Sequence, residues 1–127
     1  MQMIKPCNIV LDVPDIEAAA QFYERLLGWR RTANHAFYIQ IDGMDGGASL
    51  GFQQDEAYRP PAWPQSDGHG QMVHIDFLVD DVEAEKRRAL ALGASLPQRQ
   101  FMPVEEGVTL LDPFGHPFCL IRGWYGH

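Results

Sequence analysis

Residues 8–18, NIVLDVPDIEA, and residues 74–84, HIDFLVDDVEA, are two copies of one pattern. Ile9 matches Ile75, Val13 matches Val79, Asp15 matches Asp81, and Glu17-Ala18 matches Glu83-Ala84. The offset is 66 residues there and 65 at the later pairs Leu27-Gly28 and Leu92-Gly93, about half of the 127-residue chain. A repeat of this kind constrains architecture strongly, because each half must adopt the same supersecondary unit.

Both copies read as a strand followed by a helix. Side chains alternate along the strand and end at an acidic turn, where Asp15, or the Asp80-Asp81 pair, can accept hydrogen bonds from the free N–H groups of the helix that follows. Ile16, Ala19, Ala20, Tyr23, Leu26 and Leu27 make an apolar stripe at helical spacing; Val82, Ala89 and Leu90 make a thinner one. Gly28 and Gly93 stand where a left-handed residue would stop each helix. Three short strands are expected next in each half, near Trp29–Ala33, Phe37–Ile41 and Ala48–Gln53, then near Ser95–Gln100, Val108–Leu111 and Phe118–Arg122. The turn sequences DGMDGG and DPFGHP separate the last two strands of each half. The expected class is α+β: two tandem βαβββ modules, about 1–57 and 71–125, joined by a proline-rich connector at about 58–70.

Composition excludes several partners. A net charge of -7 would repel phosphate backbones and anionic lipid, so neither nucleic acid nor membrane is an expected partner. No apolar run approaches the roughly 18 residues a spanning helix needs, and MQMIKPCN lacks a signal-peptide shape. The two cysteines, Cys7 and Cys119, form no disulfide framework, which points to a reducing cytoplasm.

The helix-opening VPDIEAAAQFYERLLGW and the closing LLDPFGHPFCLI, at these distances in two βαβββ modules, resemble the vicinal oxygen chelate superfamily. That superfamily includes glyoxalase I, extradiol dioxygenases, fosfomycin-resistance enzymes and bleomycin-resistance proteins. The resemblance covers nearly the whole chain as a single glyoxalase-like domain. It implies a cup-shaped, half-barrel sheet from each module, with ligands inside and helices outside. Ile75, Phe77 and Val79 would then pack on the helix, and His74, Asp76 and Leu78 would face the cup with Asn8, Val10 and Asp12. Metal enzymes of the superfamily take one ligand from the first and one from the last strand of each module. Those positions map to Asn8, Gly51, His74 and Cys119, and His74 alone keeps a usual residue.

His74 therefore has three readings: a metal ligand, a pocket histidine hydrogen-bonded to Asp76 or backbone, or a direct ligand contact. If a metal were held, His74 with Asp76 or Cys119 would hold it, the ion being zinc, iron, manganese or nickel. Cys119 otherwise reads as a small apolar liner, and His116 falls on the opposite strand face from it. Tyr38 and Gln40 alternate with Phe37, Ile39 and Ile41, and Ser49 and Gln53 with Leu50 and Phe52, so the polar members are expected in the cup and the apolar ones in the core, with Gln40 and Gln53 equally readable as solvated edge residues. Trp63 and Tyr58 sit beside prolines in the connector, where a stiff loop could cover an apolar ligand or fill a gap between modules. His35, His69 and His127 read as solvated loop or terminal residues. Glu105-Glu106 reads as a hairpin tip, and Arg30, Arg31, Arg87 and Arg88 as exposed positions.

The leading expectation is a homodimeric protein that binds a small, partly apolar or aromatic molecule with Asn8, Asp12, Tyr38, Gln40, Gln53, Trp63, His74 and Cys119, without a cofactor. The alternative is a lyase, isomerase or dioxygenase of the same superfamily, either metal-dependent through His74 or metal-free with His74 as general base and Asp76 orienting it.

Overall fold

The computed structural model describes residues 3–63 and 73–123, which leaves His69 and His127 outside the described residues. The chain divides into two compact units, Met1–Tyr58 and Arg59–His127.

The first unit runs β1 (Asn8–Val13), α1 (Ile16–Leu27), β2 (Arg30–Asn34), β3 (Tyr38–Asp42) and β4 (Ser49–Gln54). Its open sheet has the order β1-β4-β3-β2, with β1 parallel to β4 and the other pairs antiparallel. Asp15 caps α1 by accepting from the Ala18 N–H at 3.1 Å, and Gly28 ends it in the left-handed region at φ 69°. Gln54 adds a second restraint, accepting from the Ile16 N–H at 3.4 Å and donating to the Pro14 carbonyl. The buried stripe of α1 is Ile16, Ala19, Ala20, Phe22, Tyr23 and Leu26, whereas Leu27 is half-buried. It meets β3 and β4, whose Ile39, Ile41, Leu50 and Phe52 are also buried. Tyr23 stacks on Phe52 at 5.4 Å, and burying an aromatic ring of that size stabilises by about 1.5–3 kcal/mol.

Two expectations fail here. Phe37 is 68 % exposed, because β3 begins at Tyr38 and Phe37 lies in the turn before it. Arg31 is not a free surface cation: it makes paired hydrogen bonds to Glu17 at 3.0 and 2.9 Å and a third to Glu24 at 2.7 Å, tying β2 to α1.

The second unit runs β5 (Ile75–Leu78), α2 (Val82–Leu92), β6 (Gly107–Leu111) and β7 (Pro117–Ile121). Its open sheet has the order β5-β7-β6, with β5 parallel and β6 antiparallel to β7. Asp81 caps α2 through the Ala84 N–H at 3.0 Å, and Gly93 ends it at positive φ.

The strand expected over Ser95–Gln100 does not form. Ser95 makes an isolated bridge to Leu111, and Pro97 then removes a backbone donor. The Gln100 side chain takes the strand's place, accepting from the Thr109 N–H at 2.8 Å and donating to the Thr109 carbonyl at 2.9 Å. Among the described residues, the second unit thus carries three strands where its repeat partner has four. Among the described residues, no helix is long and apolar enough to cross a membrane.

Candidate functional site

Strand register in the second unit sets Asp76 beside Cys119 and Cys119 beside Thr109, one row across β5, β7 and β6. Paired residues point to the same face, and this face opens onto a cavity of about 720 Å³. Trp63, His74, Asp76, Phe101, Met102, Glu106, Thr109, Cys119, Ile121 and Gly123 line it. A cavity of this volume is within the range, roughly 300–1,000 Å³, that encloses drug-sized molecules. The opposite face of β5 turns inward: Ile75 and Phe77 are half-buried, and Phe77 meets Phe118 edge-on at 6.2 Å.

His74 precedes β5, and its Nε2 lies 3.0 Å from Asp76 Oδ1. A carboxylate that holds one imidazole nitrogen orients the ring and leaves Nδ1 for a ligand or a proton. Cys119 is 4 % exposed, and its Sγ lies 3.3 Å from Thr109 Oγ1. Burial pushes the thiol above its ordinary value; the Thr109 hydrogen bond opposes this, and the Asp76 carboxylate adds to the rise. The sulfur is therefore a protonated liner rather than a nucleophile at neutral pH. Trp63 lies 5.7 Å from the His74 ring and edge-on to Phe101 at 5.9 Å, giving the cavity an aromatic wall. Arg99 covers the Phe101 ring at 5.2 Å.

The other predicted residues share a sheet face in the first unit. Tyr38 Oη accepts from Asn8 Nδ2 and donates to Gln40 Oε1 at 2.7 Å, while Asn8 Oδ1 is buried with no partner among the described residues. The Tyr38 hydroxyl covers Gly51: a Cβ at residue 51 would lie 2.3 Å from it. Asp12 and Gln53 pair in register on the same face and are exposed. Trp63, His74, Asp76 and Cys119 thus share one cavity, and Asn8, Tyr38 and Gln40 form a separate polar cluster.

Residues 8–121 match the family model of the glyoxalase-like domain. The chain belongs to that family. The glyoxalase-like chain is 28% identical to the anthracycline biosynthesis protein DnrV of Streptomyces peucetius over 127 positions, 92% of this chain and 46% of that protein. It is 27% identical over the same shares to the corresponding protein DauV of Streptomyces sp. (strain C5). The chain spans about half the length of these curated relatives. A glyoxalase/bleomycin resistance protein/dioxygenase family enzyme of Burkholderia phytofirmans shares its fold, with TM-score 0.70, 22% identity, and 91% and 95% of the two chains covered. The fosfomycin resistance protein FosX of Listeria monocytogenes does too, with TM-score 0.69, 14% identity, and 99% and 97% covered.

The metal set of this superfamily does not fit the residues present. Gly51 offers no donor, and Tyr38 already fills the space a side chain there would enter. The Asn8 amide nitrogen is committed to Tyr38, and the Cys119 thiol is held protonated. Only His74 of the four remains a ready ligand.

Sequence reasoning missed Phe101, Met102, Glu106, Thr109 and Ile121 as cavity residues. Thr109 and Ile121 were accessible from alternation, since they share the face of Cys119 once β6 and β7 are registered. Phe101 and Met102 lie in a segment with no regular pairing, so periodicity carries no signal for them. The Asp112–His116 pair also went unseen: Nδ1 and Oδ2 lie 2.7 Å apart, both residues are buried, and Asp112 also accepts from the Phe114 and His116 N–H groups. This pair sets the β6–β7 turn and does not line the cavity.

Proposed function

We propose that this glyoxalase-like chain binds a small, partly aromatic organic molecule in the cavity of its second unit, and does so without a catalytic metal. The observation that carries the reading is the cavity itself: one space lined by the aromatic and thioether side chains of Trp63, Phe101 and Met102 together with an oriented His74–Asp76 pair. Aromatic wall and paired polar groups together suit a flat ring system bearing a hydrogen-bonding edge. The curated relatives are named for the biosynthesis of anthracyclines, which are polycyclic aromatics, and that supports a role in making or sequestering such a molecule here. The absent metal set argues against superfamily lyase or dioxygenase chemistry in this chain.

Native mass spectrometry of the purified chain, followed by titration with planar aromatics, tests the reading. Trp63→Ala is expected to weaken binding by about tenfold or more, the scale of one lost ring contact with its buried area. Unchanged affinity in Trp63→Ala would remove the cavity from consideration. His74→Ala divides binding from catalysis: weakened binding with no turnover in the parent protein supports sequestration, and lost turnover with intact binding supports an enzyme using His74 as base.

A second reading has its own observation. Donor atoms of His74, Asp76 and Cys119 lie within 4.8 Å of one another, a grouping that could close on zinc if the thiol gave up its proton. Elemental analysis finding about one transition metal per chain, lost in Cys119→Ala, would establish it. Val10 and Leu78, exposed on their respective sheets, give a second copy apolar surface to cover, and sedimentation tests the homodimer that this implies.

A further inference from the structure

We infer that the cavity selects cations: its ligand is a planar aromatic amine, with the ring against Trp63 and Phe101 and the charge held by Asp76 and Glu106. This inference rests on the binding reading above and adds the sign of the ligand's charge.

Among the described residues, the cavity lining holds two carboxylates, the imidazole of His74 and no lysine or arginine. Even a doubly protonated imidazole, at +1 against -2, leaves the lining net negative. Arg99 sits over the Phe101 ring at 5.2 Å, and neither it nor Arg122 is among the lining residues. The Trp63 indole, which lines the same space, works in the same direction, because an indole ring face attracts positive charge. The sulfur of Cys119 reports the same field, its thiol held protonated partly by the Asp76 carboxylate. An anion placed here would face two carboxylates across low-dielectric walls, whereas a cation would gain from both.

The test compares three probes of one ring size: proflavine as the cation, anthracene methanol as the neutral molecule, and anthracene carboxylate as the anion. Fluorescence titration of the full chain at low salt is expected to rank them in that order, with proflavine bound at least about tenfold tighter than the carboxylate. Asp76→Asn and Glu106→Gln are each expected to shrink that gap, and circular dichroism of each variant shows that it is folded. Glu56→Gln, an exposed carboxylate of the first unit, is expected to leave the gap intact. Equal affinity for all three probes overturns the charge inference while the binding reading stands. So does a gap that Glu56→Gln reduces as much as Asp76→Asn, which would assign it to overall net charge. Failure of all three probes to bind overturns both.

Discussion

Gly51→Ala tests whether the Tyr38 hydroxyl really occupies the place of a superfamily ligand. The added Cβ would meet Tyr38 Oη at 2.3 Å and two ring carbons at 2.7 and 2.8 Å, closer than real contacts allow. Tyr38 must therefore swing away and release its bonds to Asn8 and Gln40. Two hydrogen bonds at about 1 kcal/mol each would be lost, against about 0.5–1 kcal/mol gained by removing glycine from a strand. The net cost is about 1–1.5 kcal/mol. In a Tyr38→Ala background the clash and both bonds are already gone, so the same alanine should stabilise by about 0.5–1 kcal/mol. The two changes should then couple by about 2 kcal/mol. Native-state hydrogen exchange of the β3 and β4 amides reads the first unit by itself and gives all four corners of the cycle. Additivity to within about 0.5 kcal/mol would refute the occupancy argument.

Gln100→Ala strips Thr109, which is 1 % exposed, of both main-chain partners and should destabilise the second unit by about 2–3 kcal/mol; unchanged exchange protection of the Thr109 amide would contradict this. Asp76→Asn, made with Cys7→Ser so that Cys119 is read alone, should lower the Cys119 pKa and speed its alkylation at a given alkaline pH. The thiol should still titrate above its ordinary range, because burial is the larger cause; a slower reaction would reverse the assigned sign. Glu17 is held down to about 2 from 4.5, first by its hydrogen bonds to Arg31 and then by Gln21. Its folded pKa is depressed, so its contribution is complete above about 4.5 and fades as pH falls toward about 2. Glu17 is 54% exposed, so Glu17→Gln should cost no more than about 1 kcal/mol at neutral pH and nothing near the acid limit; urea denaturation across that window checks it.

What could be read from sequence was what local chemistry decides. Asp15, Asp81, Gly28 and Gly93 act within one helical turn of themselves, and each stands where its residue type implied. The alternation of β3 and β4 likewise put Ile39, Ile41, Leu50 and Phe52 in the core. Tertiary competition was harder to see. Ser95–Gln100 has the residue types of an edge strand, but an amide side chain three positions beyond Pro97 satisfies Thr109 instead of a backbone. Phe37 is apolar in sequence and sits in a turn, since hydrophobic type alone does not set where a strand begins. His74 and Asp76 were readable as neighbours because they are two residues apart in an alternating run, His74 just before β5 and Asp76 within it. Phe101 and Met102, which line the same cavity, were not, because they come from an irregular segment.

The repeat relates the cavity face of the second unit to the Tyr38 face of the first. Val10 pairs with Gly51 in the first unit as Asp76 pairs with Cys119 in the second, so residues 51 and 119 are equivalent. Gln40 lies across from Gly51 and Thr109 across from Cys119, which makes those two equivalent as well. Tyr38, two residues before Gln40, then corresponds to Gly107, two before Thr109. The first unit carries a large ring beside a glycine, and the ring fills the face. The second carries a glycine beside a cysteine, so no ring projects there and the space stays open over Cys119. Met102 marks the limit of that opening, its sulfur 2.7 Å from where a Cβ on Gly107 would stand. Exchanging which strand bears the bulky residue thus leaves the Tyr38 ring over residue 51 in one copy of the duplicated sheet and open space over residue 119 in the other.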